Sequence, residues 1–317
     1  MTTPRILSFS ALLLIAQQAG ASCGTAYCSV NTAWEALGAA PKPGWTLDLR
    51  YEYLRQDTLR AGSSETAAAG IADTHDEVST LNRNVNASLD YAWSTRWGVS
   101  LQMPYVQREH DHIHNDPIEG PESETWDISE IGDARVLGVY QFASSPQQGT
   151  SAGLRFGLKL PTGSTGERNA DGELAERTLQ PGTGTTDLIL GIYQHGFWTQ
   201  NKTAWFAQVL LQRAVNSHDD YRPGGQLNLD AGLSWRATPL VNALLQFNAH
   251  VRDRDDGAAA ESEDTGNRML SLSPGLSVAA GSVGRIYAFV QLPLYQYVNG
   301  TQLTQDWSAV IGWRQRF

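Results

Sequence analysis

Apolar and polar side chains alternate along most of this chain, one residue at a time, in short segments separated by breaks. Trp45, Leu47, Leu49, Tyr51 and Tyr53 share one parity, with Asp48, Arg50 and Glu52 on the other. Val85, Ala87, Leu89, Tyr91 and Trp93 stand against Asn84, Asn86, Ser88 and Asp90. The division recurs from Trp97 to Tyr105, Ala152 to Lys159, Leu227 to Trp235 and Val241 to His250. A period of two places the two sets on opposite faces of a strand. Noisier segments centre on Val136, Leu190, Val209, Leu272 and Phe289. The last run sets Trp307, Ala309, Ile311, Trp313 and Phe317 against Asp306, Ser308, Arg314 and Arg316, and twelve segments are legible in all.

Alternation alone also describes a soluble sandwich. The connections discriminate, because their lengths alternate too. Short links fall at Ser94-Thr95, 144–149, 196–202, Ala237-Thr238 and 280–284. Long ones fall at 57–77, 109–130, 161–182, 214–224 and 252–268, with a shorter one at 297–304. An even number of strands, with short turns at one end and long loops at the other, describes an outer-membrane barrel. Trp45, Trp93, Trp97, Phe142, Trp198, Trp205, Trp235, Trp313 and Phe317 would cluster at the short-turn rim as an interfacial girdle. Arg83 and Arg213 share the outward parity but lie at the loop end, where a charge costs little. The prediction is therefore all-β: a twelve-stranded antiparallel transmembrane β-barrel of the bacterial outer membrane, spanning 44–317 as one domain.

Residues 1–21 read as a signal peptide, with Arg5 ahead of an apolar stretch and Ala19-Gly20-Ala21 at the cleavage site. The alternative is a lipoprotein acylated at Cys23, although Gly20 stands where a lipobox usually has Leu. Beyond this segment nothing approaches the roughly 18–20 apolar residues of a spanning helix. Residues 22–43 form an N-terminal segment, either a periplasmic tail or a plug-like extension. Its Cys23 and Cys28 are expected to close a small disulfide loop in an oxidising compartment.

Charge is unevenly placed. The five longest loops sum to −18 against −10 for the whole chain, so an acidic mouth would focus cations. The same loops equally suit divalent ions that bridge surface lipopolysaccharide. Inward residues mix signs, and Arg50, Glu52, Arg155, Asp230 and Gln246 are the candidate lumen constriction. His110, His112 and His114, at spacing two within an acidic run, would face the lumen mouth and could ligate a divalent metal. His75-Asp76-Glu77 and His218-Asp219-Asp220, at other loop bases, are further candidates to converge with them. Asp253, Asp255 and Asp256 only loosely resemble a calcium loop. No Gly-x-Ser-x-Gly elbow occurs, and His250 has the inward parity, so a lipid-facing catalytic Ser/His pair finds no support.

Ile131-Gly132-Asp133, Lys159-Leu160-Pro161-Thr162-Gly163 and Gln180-Pro181-Gly182-Thr183-Gly184 resemble the outer-membrane family named for the meta-cleavage pathway of phenol degradation. Ser273-Pro274-Gly275-Leu276 and Gln291-Leu292-Pro293-Leu294-Tyr295 extend the resemblance across 131–317. It implies a transporter or channel, often for aromatic compounds, with no catalytic residues to carry over. Without the family, the same glycines and prolines read as strand-end geometry. The expectation is a passive, non-enzymatic channel for a small solute, aromatic or cationic, with no cofactor unless a metal binds the loops. The alternatives are a metal-capturing surface protein and a barrel lipase. Expected partners are outer-membrane lipid, lipopolysaccharide, the solute and, through the Phe317 strand, the barrel assembly machinery; nucleic acid is not among them.

Overall fold

The computed structural model describes residues 30–32, 43–68, 70, 75–145, 149–198 and 202–317. The signal segment, Cys23 and Cys28 lie outside the described residues. Twelve strands make the barrel: β1 Gly44–Gln56, β2 His75–Ala92, β3 Trp97–Asp116, β4 Arg135–Ser145, β5 Thr150–Lys159 and β6 Asp187–Trp198 continue into β7 Thr203–Ala214, β8 Gln226–Arg236, β9 Val241–Arg252, β10 Asn267–Ala279, β11 Arg285–Thr304 and β12 Ser308–Arg316. Each pairs antiparallel with the next, and β1 closes onto β12 with Thr46 opposite Arg316 and Leu54 opposite Ser308. Closure leaves no barrel strand with an unpaired edge, the condition for a sheet that meets lipid.

The alternation sorts as the sequence requires. Leu229, Phe247 and Ile192 point outward and are exposed, whereas Asp230, Gln246 and Asn248 point inward and are buried. Trp45, Trp93, Trp97, Phe142, Trp198 and Trp235 are exposed at the short-turn rim, with Trp93 stacked on Trp97 and Trp198 on Trp205. On the outer face Arg83 pairs with Glu109 at 3.0 Å, which marks the upper limit of the apolar band.

The connections depart from the sequence expectation. Residues 109–130 do not form a loop: β3 runs on to Asp116, and Gly120–Ile131 folds back along it as an antiparallel arm. Residues 75–77 likewise belong to β2, and Thr58–Gly62 adds to the upper part of β11. β2, β3 and β11 reach 18, 20 and 20 residues. About 9–11 suffice to cross the membrane, so the barrel wall extends well beyond it on this side. The alternation that makes a strand in lipid makes one in water too, provided a partner is present.

Candidate functional site

The five residues expected in the lumen all face inward, and two of them, Arg50 and Gln246, hold one feature. Residues 30–32 lie inside the barrel. The backbone N–H of Asn31 donates to Oε1 of Gln246 at 3.1 Å, and Nε2 of Gln246 donates back to the Asn31 carbonyl at 2.8 Å. Arg50 donates to Oγ1 of Thr32 at 3.1 Å and pairs with Glu52 at 2.8 Å. Asp230 accepts from Asn248 at 2.8 Å and from Gln208 at 3.3 Å, and Arg155 lies over the Tyr193 ring on the neighbouring wall. Tyr287 donates to Asp48 at 2.9 Å, and Arg314 forms an ion pair with the same carboxylate at 2.9 Å.

Sequence reasoning missed the apolar part of this lumen. Val30 packs against Phe206, Leu244, Tyr287, Phe289 and Val310, all inward and buried. The available signal was an irregularity: Leu244 interrupts the polar set of Asn242, Gln246 and Asn248. A groove of about 490 Å³, flanked by Ala152, Ala207, Ala231 and Ala249, lies instead on the lipid side of the wall.

The motif glycines and prolines build the base of the mouth. Lys159 Nζ donates to Asp133 at 2.8 Å, lies 3.2 Å from Asp187, and also meets Thr183 and Thr185. Asp133 further accepts the backbone N–H groups of Gly163 and Thr183, at 3.1 and 3.0 Å. Gly163 and Gly182 lie so close that a Cβ on either would come within 2.8 Å of the other's backbone. The motifs thus form a buried clasp across β4, β5 and β6. Above it, Arg108 holds loop 161–182 over the lumen by donating to the carbonyls of Thr178 and Leu179, at 3.1 and 2.5 Å. Ala175 and Leu179 then pack on Trp126 and Ile128 of the arm.

His110 and His112 face inward, as their parity requires. The β2–β3 register sets Glu77 opposite His112 and His75 opposite His114. His114 therefore bonds His75 at 2.9 Å, while His110 and His112 draw in Glu77. Burial, followed by the nearby His112 and Arg108 charges, lowers His110 to about 3, so its imidazole is neutral. Burial, then the charges of Glu176, Glu261 and Asp76, raise Glu77 well above the usual carboxylate range. His110 Nε2 and Glu77 Oε2 sit 3.4 Å apart. His75 is also lowered, first by burial. His218 stays outside this group, against Asp219 at 3.1 Å. Asp255 is engaged by Arg252, Tyr221 and the Gly224 N–H, which leaves no free oxygen for a calcium loop.

No family model and no curated protein matches the sequence. Among solved structures, the chain is similar to the COG4313 outer membrane channel from Pseudomonas putida F1. The TM-score is 0.65 at 11% identity, covering 88% of this chain and 97% of that one. Weaker likenesses include the TodX monoaromatic hydrocarbon channel, at TM-score 0.48 and 10% identity over 94% and 99% of the two chains. The NanC porin follows at 0.45 and 11%, over 85% and 98%. At these identities the likeness speaks to fold. The lipid-facing band, the closed sheet and the shared architecture define a twelve-stranded β-barrel of the bacterial outer membrane.

Proposed function

We propose that the protein is a passive channel for a small solute, obstructed at rest by its own N-terminal segment. The observation that carries this reading is the placement of residues 30–32 within a lumen whose wall is partly charged and partly apolar. Arg50, Glu52, Arg155 and Asp230 offer charge to a polar end of the solute. Phe206, Tyr287 and Phe289 offer it an apolar surface once Val30 withdraws. That pairing favours a small amphiphilic molecule, such as an aromatic acid, over a sugar. The named similarity to an outer membrane channel supports the same class. The acidic loops would meet lipopolysaccharide through divalent ions, and the Phe317 strand would be read during barrel insertion.

Liposome swelling tests the reading. Protein lacking residues 22–42 should admit aromatic carboxylates faster than sugars of similar size, and the full chain should admit both more slowly. If neither protein passes any solute, the channel reading is wrong.

A further inference from the structure

Where β2 and β3 rise above the membrane, Glu77, His110 and His112 face inward at 4, 0 and 4% exposure. Their ligand atoms all lie within 4.8 Å of one another. Each histidine is held from its far side. Nδ1 of His110 meets Oγ1 of Thr80 at 2.9 Å, and Nε2 of His112 meets Oε2 of Glu124 at 2.5 Å. Nε2 of His110, Nδ1 of His112 and both carboxylate oxygens of Glu77 remain buried without a hydrogen-bond partner. Buried polar atoms are rarely left in that condition, and four in one place call for a common partner. Metal-binding histidines are oriented in this way, by an acceptor on the distal nitrogen that frees the proximal lone pair.

We propose that Glu77, His110 and His112 bind a divalent transition-metal ion of the Zn²⁺, Ni²⁺ or Cu²⁺ class inside the extracellular mouth. Imidazole ligands suit these ions, whereas Ca²⁺ and Mg²⁺ prefer sets made only of oxygen. Three protein ligands leave a coordination position open to water or solute. His75, its ring stacked 4.5 Å from His112, forms a second, less enclosed group with His112 and Glu124. That group shares a ligand with the inner one and offers an approach to it. The strand register, rather than the run of alternate histidines, selects the ligands: His114 is diverted to His75, and Glu77 arrives from the neighbouring strand. The site has no part in the conduction reading, and either can fail alone.

The test uses the full chain folded in detergent micelles, stripped with chelator, and titrated calorimetrically with Zn²⁺, Ni²⁺ and Cu²⁺ in turn. At least one ion should bind at one per chain. Its affinity should fall about tenfold or more in His110→Ala and Glu77→Gln, and less than about twofold in His114→Ala. Heat-modifiable gel mobility confirms that each variant is folded. Electron paramagnetic resonance of the Cu²⁺-loaded unaltered protein needs no variant and should show two nitrogen donors. Absence of saturable binding by all three ions, an equal loss in His114→Ala, or a copper signal without nitrogen coupling would overturn the proposal.

Discussion

Replacing Val30 by Asp should release residues 30–32 from the lumen wall and increase ion flow. Burying the Val30 side chain contributes about 1.5–3 kcal/mol. The three hydrogen bonds of Asn31 and Thr32 to the wall add about 0.5–1.5 kcal/mol each. Against this total of roughly 3–7.5 kcal/mol, fixing three backbone residues costs about 3–6 kcal/mol. The seated and withdrawn states therefore lie within a few kcal/mol of each other. Losing about 2 kcal/mol of burial alone shifts their ratio roughly 30-fold, since about 1.4 kcal/mol is a factor of ten. The Asp carboxylate would also face Phe206, Leu244 and Phe289, which adds to the effect. Single-channel recording in planar bilayers should show brief openings for the parent and Val30→Ile, and prolonged ones for Val30→Asp. Currents that are identical in the parent, Val30→Asp and the 22–42 deletion would show that the segment does not obstruct the path.

Other positions give independent checks. Lys159→Met removes the one cation shown bonded to both Asp133 and Asp187, and should lower unfolding free energy in guanidinium by about 3–5 kcal/mol. Arg155→Glu reverses a charge on the lumen wall, so the reversal potential in a salt gradient should move toward cation preference, while heat-modifiable mobility stays unchanged. Phe247→Arg places a charge on the lipid face midway along β9 and should cost about 2–4 kcal/mol. Trp235→Arg, at the rim, should cost only about 0–1 kcal/mol through the charge, and equal losses at the two sites would place Trp235 within the hydrocarbon rather than at its edge.

The barrel was legible because lipid on one side and a polar lumen on the other impose a period of two on every strand. Leu229 and Asp230 are adjacent in sequence and on opposite sides of the wall, as their parity demands. The top of the wall was harder to read. Glu109–Asp116 is acidic and rich in histidine, which reads as a solvated loop, yet it pairs with 120–127 residue by residue. Pairing depends on a partner distant in the chain, and local polarity does not report it. Arg50, Glu52, Arg155, Asp230 and Gln246 carry the inward parity of their strands. That Arg50 and Gln246 hold residues 30–32 could not be foreseen, because a segment without periodicity carries no address within a barrel. Glu77 entered the histidine cluster for a similar reason: only the β2–β3 register sets it beside His112.

The Lys159 clasp changes what its sequence phrases can be taken to mean. Asp133, Lys159, Gly163, Gly182 and Thr183 bind one another rather than a ligand. A barrel carrying the same phrases should share the anchoring of its entrance loop. What it transports would be decided by side chains the phrases do not contain, so kinship in this frame is no guide to cargo.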